Sequence, residues 1–220
     1  MGRLVFRLVL SAVISVIIFI VGFLLGAQLF QSKISQLQAT QDELQVDTIS
    51  LEIESQLLSE SPCSSAGLEE LAKRMEQLGP KIDFLEKQSR TEELVNLKKY
   101  YSLLEIKHWL AIKNTNKNCN TDFVPILYFY SNENCDGCGE QGVALLYQKT
   151  QNPKLMIYSF DVDLDLSAIK ILKTENHITT APTVVIAGKK HEGLQDANEL
   201  TAVLQQRVPP AVAPDNTSES

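Results

Sequence analysis

The sequence is poor in the residues that mark several large functional classes. Its 220 residues include four cysteines, three histidines and one tryptophan. Four cysteines are too few for a disulfide-dense scaffold. A basic excess is missing as well. Twenty Lys+Arg against 27 Asp+Glu give a net charge of −7, which excludes the basic face of a nucleic-acid binder. No polybasic stretch follows Arg7 to hold an anionic membrane surface. There is one CxxC pair, and a four-cysteine zinc site lacks the second pair that would define it. His177 and His191 have no ligand-like spacing. No metal and no cofactor are therefore expected. What is present in ordinary measure is hydrophobic surface, 44% of residues, which excludes wholesale disorder.

Charge is absent altogether from Leu8 to Ser32. As a helix these 25 residues would reach about 37 Å, enough for a bilayer core of ~30 Å. The run is longer than the ~7–15 apolar residues of a cleaved leader, and Gly26-Ala27 is a weak cleavage site. An uncleaved single-pass anchor over residues 1–32 is expected. Arg3 and Arg7 precede the span, while Lys33, Asp42 and Glu43 follow it. The positive-inside rule then puts the N-terminus in the cytoplasm and the rest of the chain outside it. Gly22 and Gly26 form a small-xxx-small pair through which two spans can pack, giving one route to a homodimer.

Residues 33–118 read as a helical region. Leu37, Leu44, Leu51 and Leu58 recur every seven residues, the mark of a stalk helix or short coiled coil, which is a second route to a dimer. Gln41, Thr48 and Ser55 break the alternating positions, which favours a stalk docked on its own domain. Ser61-Pro62 ends it. A second helix is expected from Ser65 to Leu78, stopped by Gly79-Pro80. Ser89 with Glu92 makes a capping box for a third helix reaching about Lys113. Asn114 to Asn118 read as a polar turn. His108, on this third helix, is a better core or surface residue than a ligand.

Residues 119–207 change character. Val124–Tyr130, Leu155–Phe160 and Val184–Ala187 are apolar, β-prone runs. Helical patterns lie over 139–151 and around Leu166–Leu172, and Asp196 with Glu199 caps a closing helix. Gly188-Lys189 makes a hairpin turn. The Pro- and Ser-bearing tail, 208–220, is expected to be disordered.

The order is strand–helix–strand–helix–strand–strand–helix, with Cys135-Asp-Gly-Cys138 between the first strand and its helix. In this it resembles the thioredoxin-like superfamily over residues 121–207. The expected fold is an α/β thioredoxin-like domain, a central mixed sheet with flanking helices, preceded by the helical region and the anchor. The CxxC matches the superfamily's redox motif. Pro182, before Thr183 and a strand, matches the proline that members hold in cis beside the active site. The resemblance implies that Ala181 and Pro182 present backbone to an extended substrate. A helix N-terminus favours a thiolate, so Cys135 at the helix start is the expected nucleophile and Cys138 the resolving thiol. The pattern departs from the superfamily in three places. Asn134 stands where Trp is usual, Phe129 where a buried carboxylate is usual, and Asp-Gly fills the motif. Glu133 and Asp136 are acids near the thiol, and each disfavours the thiolate by roughly a kcal/mol or less. That points to a reductant or isomerase rather than a strong oxidant.

Cys63 and Cys119 bracket the helical segment. Outside the cytoplasm they are expected to form a structural disulfide. A redox relay with the CxxC pair is the sharper alternative. Altogether the sequence reads as a membrane-anchored, extracytoplasmic thiol–disulfide oxidoreductase. Its partners would be exported proteins with cysteines or disulfides and a membrane or extracytoplasmic redox partner. Two rivals stand beside it: a non-enzymatic binding module with a structural CxxC disulfide, and a metal-binding domain using Cys135 and Cys138.

Overall fold

The computed structural model describes residues 2–61, 63–88 and 90–206, with side chains on the first helix described for 14–24 and from 41 onward. The expected tail, the Ser89 cap and the Gly26 and Leu37 side chains lie outside these residues. The chain divides into two compact units, 1–47 and 48–220.

The first unit is one stretch of helix, the beginning of α1 (Gly2–Ser59). The apolar side chains described on it, from Ile14 to Leu24, stand exposed, Phe19 at 73%. A Cβ added at Gly22 would meet nothing within 4 Å. Among the described residues no helix is long and apolar enough to cross a membrane. The expected span over residues 8–32 falls largely on side chains outside the described set.

The second unit begins with the end of α1, where Leu51 is buried and Leu58 packs on the main core. Lys107 Nζ meets Glu52 Oε1 at 2.6 Å. α2 (Ser65–Gln88) and α3 (Glu92–Asn118) follow. The Gly79-Pro80 stop expected from the sequence does not end α2, and the helix continues through Pro80. Proline costs an i−4 hydrogen bond, yet Pro80 lies on the exposed face. The buried stripe of Leu71, Met75, Leu78, Ile82 and Leu85 runs past it unbroken, so packing outweighs the missing bond. Gly79 sits under Tyr101, whose hydroxyl donates to the Met75 carbonyl at 2.7 Å.

The cap of α3 is Thr91, whose Oγ1 accepts the Leu94 N–H at 3.2 Å. The expected turn at 114–118 is the last turn of that helix. Asn116 is responsible, because its side chain bonds both the N–H and the carbonyl of Phe123, at 3.1 and 2.7 Å. This ties the helix end to the strand that follows. Sequence pattern recorded the polarity of the segment but not its partner.

The remainder is β1 (Val124–Tyr130), α4 (Cys138–Gln151), β2 (Leu155–Asp161), α5 (Ser167–Glu175), β3 (Thr183–Ile186), β4 (Lys189–Glu192) and α6 (Ala197–Gln205). Strand order is β2-β1-β3-β4, with β1 and β2 parallel and the other pairs antiparallel. The mixed four-stranded sheet with flanking helices is the architecture expected from the sequence. One sheet face packs Leu127, Phe129, Tyr158 and Phe160 with Ile169, Leu172 and Ile112. The other packs Ile126, Tyr128, Val184 and Ile186 with Leu145, Leu200 and Leu204. The strand alternation assigns each residue its face. The expected Asp196–Glu199 capping box starts α6.

β2 is an edge strand, and an open edge invites stray pairing. Here side chains cover it. The Ser159 N–H donates to Glu105 Oε1 at 2.9 Å, and Lys149 donates to the Leu155 carbonyl. Glu105 is buried, its other oxygen has no hydrogen-bond partner among the described residues, and burial raises its pKa to about 8. His108 lies beside it. Its Nε2 donates to the Leu68 carbonyl at 2.9 Å and its Nδ1 accepts from the Tyr158 hydroxyl at 2.8 Å. This neutral tautomer satisfies both nitrogens. Burial, and more weakly Lys149, lower the His108 pKa to about 4, against the opposing pull of the Leu68 carbonyl.

These two groups tilt stability in opposite directions with pH. Between about pH 6.5 and 4 the unfolded His108 binds the proton and the folded one does not. Stability therefore falls as pH drops through that window, by about 3 kcal/mol in all. Between about pH 4.5 and 8 the folded Glu105 holds a proton that the unfolded one releases, so stability falls as pH rises. Glu105→Gln keeps the Ser159 acceptor and is expected to gain on the wild type at pH 8 relative to pH 5. His108→Gln should lose the acid-side slope. Denaturant unfolding at pH 4.5, 6 and 8 checks both, and variant profiles parallel to the wild type would sink the assignment.

Candidate functional site

β1 delivers the chain to the site. After Tyr130 the segment Ser131–Asn134 turns back under one carboxylate. Asp163 Oδ2 accepts from the Ser131 hydroxyl at 2.6 Å and from the N–H groups of Asn132 and Glu133 at 3.1 and 3.3 Å. Ser131 Oγ accepts the N–H of Glu133 and Asn134 at 3.1 and 3.2 Å. The short polar residues Ser-Asn-Glu-Asn suit this turn because their side chains replace backbone partners.

Cys135 and Cys138 are joined by a disulfide, Cα to Cα 5.6 Å. α4 begins at Cys138, so Cys135 stands in the turn ahead of the helix rather than at its start. Gly137, the cap, adopts φ +89°, open to glycine and costly for other residues. A Cβ there would also lie 3.4 Å from Leu194 Cβ. The two sulfurs differ in access. Cys135 is half-buried and Cys138 only 8% exposed. The Ser131 N–H faces Cys138 Sγ at 3.5 Å, and the buried Tyr128 hydroxyl donates to the Cys138 carbonyl. One turn on, Gln141 is fully buried and exchanges hydrogen bonds with the Gln195 backbone, 2.7 Å from its N–H and 3.3 Å to its carbonyl. That pins the base of α4 to the loop before α6.

Thr183 pairs with Phe129 across β1 and β3, so Pro182 falls opposite Tyr130, at the sheet end from which the cysteine turn departs. The Ala181–Pro182 peptide is cis. Pro182 is buried and Ala181 half-buried. The Pro182 carbonyl accepts the Gly193 N–H at 2.9 Å. Asp161 ends β2 opposite Tyr130 at the same sheet end.

Cys63 and Cys119 form the second disulfide, Cα to Cα 5.4 Å. Cys119 caps α3 just ahead of β1, whereas the CxxC turn leaves the other end of that strand. Seven residues of strand separate the two ends by about 20 Å. A direct relay between the pairs would need sulfur contact across that distance. Of the two acids near the cysteines, Glu133 meets Arg90 at 3.4 Å, and Asp136 is exposed.

Sequence reasoning missed a buried ionic group beside the turn. Lys98 Nζ lies 2.5 Å from Glu86 Oε2 and 2.5 Å from Asp161 Oδ2. Its signal was present in the helical period, because Lys98, Glu105 and His108 fall on the same stripe of α3 as Leu94, Leu97 and Leu104. Polar residues on a buried stripe need partners, and those partners come from distant segments.

No family model matches the chain, and no curated protein matches it. Solved structures do. The chain is similar to chloroplastic thioredoxin z, with 22% identity, 40% of this chain and 80% of that one covered, and a TM-score of 0.34. It is similar to thioredoxin O2 of Arabidopsis thaliana, with 22% identity, 38% and 74% covered, and a TM-score of 0.31. A third is the thioredoxin of Malassezia sympodialis, with 24% identity, 43% and 84% covered, and a TM-score of 0.31.

Proposed function

We propose that the chain is a thiol–disulfide oxidoreductase acting through Cys135 and Cys138. The observation that carries this reading is the placement of the pair at the N-terminus of α4 with unequal exposure. A helix N-terminus stabilises a thiolate, and the more exposed sulfur is the one a substrate can reach. In the reducing direction the Cys135 thiolate attacks a substrate disulfide. A Cys135–substrate bond forms, the substrate S–S bond breaks, and the departing substrate sulfur takes a proton. The Cys138 thiolate then attacks Cys135, releasing the second substrate thiol and leaving the Cys135–Cys138 disulfide. Two electrons pass to the substrate, and a dithiol donor must restore them. Ala181 and Pro182 border the sheet end beside the cysteines and are the proposed seat of an extended substrate segment.

Glu133 and Asp136 beside the pair favour the disulfide over thiolates. The proposed role is therefore reductase or isomerase, with a potential nearer the about −270 mV of reducing members than the about −120 mV of the most oxidising. The charge-free run of residues 8–32 and the cationic Arg3 and Arg7 before it support a single-pass anchor with the catalytic part outside the cytoplasm. Exported proteins would be the substrates, and an envelope dithiol the donor. The Gly22/Gly26 pair supports self-association of the anchor, whereas Leu51 and Leu58 are taken up by packing within the chain. The test is reduction of a model protein disulfide by purified chain with a small dithiol as donor. Acceleration over the dithiol alone is expected, and equal rates would overturn the reading.

A further inference from the structure

α3 carries a lysine where its packing face calls for an apolar residue, and the Lys98 side chain is 7% exposed. An ammonium is rarely buried unless paired. Glu86 from the last turns of α2 and Asp161 from the end of β2 supply two carboxylates, each with an oxygen 2.5 Å from Nζ. The ammonium also stands 5.7 Å from the centroid of the Tyr130 ring. The same two carboxylate oxygens receive the Asn132 amide, at 3.4 Å from Glu86 and 3.3 Å from Asp161. Asn132 belongs to the turn that leads into Cys135. Asp161 Oδ1 accepts the Asp163 N–H at 2.9 Å, and Asp163 gathers Ser131, Asn132 and Glu133 as described. The Ser131 N–H faces Cys138 Sγ. A continuous set of contacts thus runs from the helical layer to the buried sulfur.

We propose that Lys98 is a positioning residue for the Cys135–Cys138 pair. Through Glu86, Asp161 and Asn132 it holds the 131–134 turn with the Ser131 N–H aimed at Cys138 Sγ, and so sets the thiol–disulfide equilibrium of the pair. The proposal rests on the redox reading above. An N–H aimed at sulfur, and a cation nearby, favour the thiolate and hence the dithiol form. The charged groups around the turn are Glu86, Arg90, Lys98, Glu133, Asp136, Asp161 and Asp163. Carboxylates outnumber cations there, so each cation counts.

The test is equilibration of the full chain with glutathione buffers. The oxidised fraction of the Cys135–Cys138 peptide is then read by differential alkylation and mass spectrometry, which keeps Cys63–Cys119 out of the signal. Lys98→Met and Asn132→Ala are each expected to shift the equilibrium constant toward disulfide by about three- to tenfold, or about 15–30 mV. Lys98→Arg, which keeps the charge, should stay near the wild type. The double variant Lys98→Met/Asn132→Ala should shift no further than either single one, because both cut the same path. A merely structural Lys98 would lower the melting temperature and leave the constant unchanged. Asn132 is exposed and uncharged, so Asn132→Ala decides the matter even where Lys98→Met fails to fold. A wild-type constant in Asn132→Ala overturns the proposal. This readout needs no protein substrate. A chain that reduces no protein disulfide, yet shifts its constant in Asn132→Ala, overturns the catalytic reading and leaves this one standing.

Discussion

Cys135→Ser is expected to lose catalysed disulfide reduction, falling by roughly two orders of magnitude or more, to the rate of the dithiol donor alone. A serine hydroxyl is not ionised at neutral pH and cannot replace the thiolate as attacking group. Cys138→Ala should behave differently. It keeps the attacking sulfur, so the first exchange proceeds, but nothing resolves the product. A mixed disulfide between Cys135 and the substrate should then accumulate and persist until external thiol is added. The asymmetry follows from exposure, since Cys138 is 8% exposed and Cys135 half-buried. Steady-state reduction assays and non-reducing gels with mass spectrometry read both effects. A Cys135→Ser chain with undiminished rate, or a trapped substrate attached through Cys138 instead, would remove the assigned roles.

The second large effect concerns the other disulfide. Cys63 lies between α1 and α2, and Cys119 caps α3, so the bond closes the α2–α3 pair at its open end. The cysteines are 56 positions apart. In the chain-entropy account a loop of that length restricts the unfolded chain by about 4 kcal/mol. Cys63→Ser/Cys119→Ser should therefore lower the melting temperature by about 8–16 °C. Because the bond sits about 20 Å along β1 from the CxxC turn, the reduction rate of the folded protein at low temperature should stay within about twofold of the wild type. Thermal unfolding and the reduction assay, run on the same preparation, separate the two properties. A melting temperature within 2 °C of the wild type, or a collapse of activity without loss of fold, would rule out a purely structural clamp.

The apolar, β-prone runs Val124–Tyr130 and Leu155–Phe160 and the glycine turn at 188 are local signals, and the structure has strands and a turn there. The Asp196–Glu199 box is equally local and equally present. Where the reading failed, a distant partner had overruled a local signal. Pro80 is a valid stop on propensity alone, yet α2 runs through it because its buried stripe packs against α3. Asn114–Asn118 have turn composition, yet Asn116 is recruited by Phe123 and the helix continues. The α4 start at Cys138 came with glycine at 137 in a left-handed conformation, which no hydrophobic period reports.

Short-range patterns were enough to place the strands, the closing helix and the CxxC motif in order along the chain. Apolar β-prone runs, capping pairs and a CxxC between strand and helix are short-range patterns, and each states its own physics. Only the tertiary structure shows which cysteine is sheltered, and that Lys98, Glu86, Asp161 and Asn132 form one group beside the turn. Those residues are spread from position 86 to position 161. A buried charge is tolerable only once the fold brings its counter-charges within reach, and nothing in the spacing of residues along the chain expresses that requirement.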